Sequence, residues 1–246
     1  MKSSALTCTA IFALATGAFA APKLEVHPSA EFKFGFAPQN SQLITTYWLY
    51  NAGDDTLKIS KVQPGCGCTS APLEKSAVAP GDSAKLQITF DSKSMMGMTS
   101  KRIAVSTNAE RPDTNLQFLA EIVRRPDSTW PMTVLPYKLD LTQMGEKVRD
   151  RITMTLQNVG PDPISLKSIS VPSELFSVKF PDQIAGNQTA KVELVLTPEA
   201  VKKEFVSSMT IEVTGKEEYR YSIPVKRKLK TLEPSTTAVA SPGSGK

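Results

Sequence analysis

Apolar and polar residues alternate along most of this chain. "TTYWLYN" (45–51), "LKISKV" (57–62), "AKLQITFD" (84–91), "KRIAVST" (101–107) and "LQFLAEIVRR" (116–125) are short runs of period two, rich in Val, Ile, Thr and aromatic residues. Successive strand side chains point to opposite faces, so this pattern predicts half-buried β-strands. Between the runs lie "NAGDDT" (51–56) and "APGDS" (79–83), where glycine permits positive φ and Asp or Asn bonds the local backbone. No long segment has helical spacing; "TPEAVKKEF" (197–205) is the best short helical turn. Trp48, within the Leu43–Tyr50 run, is expected in the core.

The pattern recurs. "TTYWLYNAGDDTLKISKV" aligns with "ITMTLQNVGPDPISLKSISV" (152–171), with Asn51 and Gly53 falling on Asn158 and Gly160, an offset of 107 for both. Gly81 pairs with Gly186 and Ile103 with Ile211, so the offset stays nearly constant. Such self-similarity marks a tandem duplication. The short strands in each copy predict an all-β protein of two immunoglobulin-like β-sandwich domains. The Cys…Trp…Cys signature of antibody domains is missing, so the expectation concerns architecture alone. The boundaries read as 21–125 and 136–230, joined by a proline-broken linker at 126–135. A Ser/Thr/Pro/Gly-rich tail, 231–246, is expected to be disordered.

The N-terminus changes the cellular picture. Lys2, an apolar run from about Ala5 to Ala15, and Ala18-Phe19-Ala20 follow the order of a secretory signal peptide. Cleavage is expected after Ala20, placing the mature chain in the periplasm or outside the cell. No later stretch is long and apolar enough to predict a membrane span. The formal net charge of +5 is dispersed along strand-like segments. "KRKLK" (226–230), its densest basic run, reads as a polar strand end, and no nucleic-acid partner is expected. Of three cysteines, Cys8 lies in the signal, leaving Cys66 and Cys68.

Those two belong to a longer ordered pattern. Asn51, Gly53, Leu57 and Ile59 precede Cys66-Gly67-Cys68-Thr69; Pro80-Gly81, Phe90-Asp91, Gly97 and then Lys101, Ile103, Val105, Thr107 and Asn108 follow. In this order the residues resemble the exported bacterial family called domain of unknown function 1573, over roughly Phe32 to Val123. The resemblance implies an immunoglobulin-like fold akin to Hydin-type and major-sperm-protein-like domains, and implies no activity. The second copy departs from it: Ser173 falls near the place of the cysteines.

The chemistry on offer is narrow. His27 is the one histidine, read as a surface residue, and no G-x-S-x-G, H-E-x-x-H or phosphate-cradling loop is present. No enzyme is predicted. "NQT" (187–189) fits a glycosylation acceptor by pattern alone. Cys66 and Cys68 could pack locally, cycle as a dithiol helped by the freedom of Gly67, or bind metal. In a sandwich the connection after Leu57–Val62 and the connection Asp91–Ser100 share a pole. Cys66 and Cys68 could there join Met95, Met96 and Met98 in a soft, Cu(I)-type ligand set. The expected work is protein–protein binding or scaffolding, with a partner at the bacterial envelope, a neighbouring cell or a host cell surface. The competing expectation is thiol-redox or Cu(I) handling, and no cofactor is otherwise expected.

Overall fold

The computed structural model describes residues 20–230; the signal pattern and the tail lie outside them, apart from Ala20. The first unit holds β1 (Leu24–His27), β2 (Glu31–Pro38), β3 (Gln42–Asn51), β4 (Leu57–Pro64), β5 (Thr69–Ser70), β6 (Ala77–Val78), β7 (Ser83–Asp91), β8 (Gly97–Thr107) and β9 (Asp113–Val123). The second holds β10 (Met132–Leu135), β11 (Leu139–Asp140), β12 (Gln143–Met144), β13 (Arg151–Asn158), β14 (Leu166–Ser170), β15 (Phe176–Val178), β16 (Thr189–Leu196), α1 (Pro198–Val201), β17 (Phe205–Val213), β18 (Lys216–Arg227) and β19 (Leu229–Lys230). The described chain is therefore all-β, with sandwiched sheets. The expected helical turn is α1, where the Thr197 hydroxyl accepts from the Ala200 N–H.

The two units repeat one topology. β1-β3-β7-β5 in the first is matched by β10-β13-β16-β15 in the second. Each of these sheets faces a second layer. Tyr47, Leu49, Leu86, Ile88 and Phe90 meet Phe34, Ile103, Val105, Leu116 and Phe118 in one core. Leu156, Val192 and Leu194 meet Met209, Ile211, Tyr221 and Ile223 in the other. The duplication extends to single hydrogen bonds. Asn51, fully buried, donates to the Asp55 and Val78 carbonyls and accepts from the Gly53 N–H. Asn158, also fully buried, donates to the carbonyls of Asp162, Ile184 and Ala185 and accepts from the Gly160 N–H.

The second layers merge. One nine-stranded sheet runs β14-β17-β18-β2-β9-β8-β4-β6, with β11 also on β18. In the first unit, β2 runs parallel along β9. In the second, the short β11 covers β18 only at Val225 and Lys226, and β2 of the first unit meets the same strand through Phe36 and Tyr221. Gly35 makes this approach possible. Its φ is +66°, and a Cβ there would stand 2.2 Å from the Arg220 carbonyl oxygen.

Two sequence expectations change here. Residues 126–135 are not simply a linker, because β10 pairs with β13 and Met132 and Val134 are buried in the second core. Proline breaks strand continuity, yet the residues between the prolines still satisfy the sheet. Trp48 is not core either: alternation buries Tyr47 and Leu49 and turns Trp48 outward, 43% exposed.

Candidate functional site

Cys66 and Cys68 lie in the bend between β4 and β5 and are bonded to one another. The bend is held by the Thr69 N–H on the Cys66 carbonyl, and by the Asp91 N–H on the Cys68 carbonyl. Thr69 Oγ1 stands 3.4 Å from Cys66 Sγ and 3.9 Å from Cys68 Sγ. Cys68 packs against the first core, while both sulfur residues remain partly accessible. A Cβ on Gly67 would meet open space, and its φ is not in the left-handed region. This loop therefore places no steric demand for glycine at that position.

The Asp91 contact does bring the loop beside the β7–β8 connection. The thioethers there diverge. Met95 packs against the first core, Met96 is exposed, and Met98 lies on the outer face of β8, in a cavity with Lys33, Phe36, Glu121 and Glu217. Met95 and Met96 precede β8 and Met98 lies within it, and the two cysteine sulfurs are bonded to each other. Among the described residues, no group of three or more His, Cys, Asp or Glu is placed to hold a metal ion. His27 is an exposed residue of β1, its ring edge-on to Tyr50 at 5.9 Å.

The joint between the units is the other distinctive region. β17 and β18 turn Met209, Ile211, Val213, Tyr221, Ile223 and Val225 into their own core. Their opposite face is polar and also buried: Ser208, Thr210, Glu212 and Ser222. Each polar group has a partner. Ser208 Oγ accepts from the Ile44 N–H at 2.7 Å and donates to the Ile44 carbonyl at 3.1 Å. Ser222 Oγ donates to the Phe34 carbonyl at 2.7 Å and lies 2.8 Å from Thr210 Oγ1. Arg220 Nε donates to Glu212 at 2.7 Å. Buried hydroxyls and charges cost free energy unless paired, so this face is built to be covered by the first unit.

Openings flank the joint. A cleft of about 710 Å³ is lined from both units, by Asn40, Gln42 and Lys93 on one side and Lys138, Val206 and Lys226 on the other. A smaller groove of about 450 Å³ shares Val206 and passes Ile44, Trp48, Ile169 and Leu175. The first three residues of "KRKLK" are split by alternation. Lys226 and Lys228 line the cleft, while Arg227 is fully buried and donates to the carbonyls of Leu141, Arg149 and Val201 and to Gln143 Oε1. The cleft was not visible in sequence because its lysines stand at 93, 138, 226 and 228; the period-two spacing of the last pair was the one local signal.

No curated protein matches this sequence. Among solved structures, the chain is similar to a protein of unknown function from Porphyromonas gingivalis W83, at 13% identity and TM-score 0.34, covering 84% of this chain and 99% of that one. It is similar to the ASH/PapD-like domain of human CEP192, at 12% identity and TM-score 0.35, covering 51% of this chain and 98% of that domain. It is also similar to the E. coli chaperone DraB, at 11% identity and TM-score 0.33, covering 85% of this chain and 98% of that one. The first unit, over residues 26–122, matches the model of the family described as protein of unknown function (DUF1573).

Proposed function

We propose that this protein is a non-enzymatic binding or scaffold module that works outside the cytoplasm through protein–protein contacts. The observation that carries the reading is the joint. Ser208, Thr210, Ser222 and the Glu212–Arg220 pair are buried and mutually satisfied there, so the two sandwiches present the surrounding surface as one body. A preformed surface lowers the ordering cost of binding. The clefts beside the joint take residues from both units, which suits recognition of a macromolecule larger than either domain alone. The signal-like N-terminus supports export.

A second reading stays with Cys66 and Cys68. Their bond sits in a partly accessible loop, and thiol exchange requires such access. In that reading the pair cycles as a dithiol or, when reduced, holds Cu(I). An unbiased capture experiment with chain 21–246, run with and without reductant, separates the two. A defined protein partner retained by a Cys66→Ser, Cys68→Ser double variant supports the scaffold. Capture only through a reductant-sensitive mixed disulfide, lost in the double variant, refutes it.

A further inference from the structure

The cleft at the joint is unevenly charged. Lys93 enters it from the first unit, and Lys138, Lys226 and Lys228 from the second. Two carboxylates share the lining. Asp140 is taken by Lys226 at 3.0 Å, and Asp91 accepts from the backbone N–H of Lys93. Four ammonium groups against two carboxylates leave an excess of two positive charges. Lys138 has a neutral partner rather than a carboxylate: its Nζ donates to the Asn40 carbonyl at 3.2 Å. Burial first, and then the nearby charge of Lys226, hold its pKa below the ordinary lysine value. A partly desolvated cation facing another cation gains from an arriving anion.

The floor between these charges is apolar, formed by Leu139, Val206, Pro224 and Val225. Val206 is 43% exposed although its strand is buried from Ser207 to Val213. Lysines are point charges on flexible stems, suited to separate carboxylates at different positions along a ligand. A compact inorganic ion could meet one or two lysines but would leave the apolar floor uncovered. An extended segment with carboxylates alternating with apolar side chains meets both.

We propose that this cleft binds an acidic, extended peptide segment of a partner protein, with carboxylates at Lys93, Lys138 and Lys228 and apolar side chains over Val206 and Pro224. The assignment rests on the binding reading given above and specifies its site and ligand class. Because the charges come from both units, the bound segment also bridges the joint.

The test uses chain 21–246 and a fluorescein-labelled decapeptide of alternating glutamate and valine, read by fluorescence anisotropy. Binding should weaken as salt rises. Replacing Lys93, Lys138 and Lys228 together by Gln should weaken it by about tenfold, as expected for three partly screened charge contacts. Replacing the exposed Lys58, Lys61 and Lys191, away from the cleft, should change it by less than about twofold. Thermal melts of both triple variants check that the fold is kept. Absence of peptide binding, equal loss in the two variants, or equal binding of an alternating lysine–valine peptide overturns the proposal. Displacement by an equal concentration of inorganic phosphate shows a bare anion site and also overturns it. Tighter peptide binding after deletion of residues 231–246 assigns the cleft to the chain's own tail. Self-association abolished by the cleft variant assigns it to a second copy. If the captured partner still binds that variant while the peptide does not bind the parent, this site fails and the broader binding role stands.

Discussion

Replacing Asn158 tests how the duplicated turn is held. Its side chain is fully buried and makes four hydrogen bonds. Two of its acceptors keep other donors: the Ile184 carbonyl retains the Ile164 N–H, and the Ala185 carbonyl retains the Gln188 N–H. Asn158→Ala therefore strips partners mainly from the Asp162 carbonyl and the Gly160 N–H. The Gly160 N–H is buried, and orphaning it costs about 1–3 kcal/mol; Asp162 is exposed, so its carbonyl can turn to water, and the variant should lose about 1–3 kcal/mol. Asn158→Asp keeps the shape but turns a carboxylate oxygen toward three carbonyl oxygens, and should be worse than Ala at neutral pH. Burial and those carbonyls raise the introduced carboxyl's pKa above its unfolded value of about 3.9. A raised acid destabilises the fold above the unfolded pKa and recovers as pH falls through the folded pKa. The deficit of Asn158→Asp relative to the parent should therefore shrink on acidification, while that of Asn158→Ala should not. Urea unfolding read by circular dichroism measures the totals. Trp130, whose ring lies 3.5 Å from the Cβ position of Gly160, gives a local fluorescence signal in a Trp48→Phe background. A loss below about 1 kcal/mol for Ala, or parallel pH curves for the two variants, would refute the account.

Gly35→Ala should disrupt the joint by more than its backbone cost, since the new methyl would meet the Arg220 carbonyl. Gly81→Ala is the control, with a similar positive φ but open space around it, and should lose only the roughly 1–2 kcal/mol of a left-handed residue. Equal melting temperatures for the two variants would show that the approach of β2 to β18 is loose. Replacing Cys66 and Cys68 together by Ala should cost about 2 kcal/mol, from a three-residue loop closure and the lost packing of Cys68. A loss above about 4 kcal/mol in a chemical melt would mean that the loop supports more of the first unit than its contacts indicate.

The strands were legible because a half-buried sheet writes its alternation directly into the chain, and the repeat because Asn51 and Asn158 do the same work at the same turn. The joint was hidden by the same rule. "SSMTIEV", 207–213, reads as an apolar face and a wet polar face, yet Ser208, Thr210 and Glu212 are covered by the first unit. Period-two patterning separates two faces without saying what each one meets. Hydroxyls that bond water and hydroxyls that bond Ile44 or Phe34 look alike in sequence. Trp48 shows the converse: its place in the Leu43–Tyr50 run suggested burial, but its parity against Tyr47 and Leu49 puts it outside. Which of Met95, Met96 and Met98 turns inward was not legible, because Met95 and Met96 precede β8 and carry no strand parity.

The seam formed by Phe36 and Tyr221 also sets an order of assembly. Among the described strands, Phe36 belongs to the second and Tyr221 to the next to last. A nascent polypeptide can complete the sandwich around β3, β7 and β9 long before β18 exists. The seam cannot close until Tyr221 has been released, so its closure distinguishes a chain that extends through β18 from one truncated before it. Until then β2 offers an open parallel edge, and so does the β18 of any second molecule whose own seam has not formed. Slow release or high local concentration would favour exchange of that edge between molecules, giving an interlocked pair with the same contacts as the single chain.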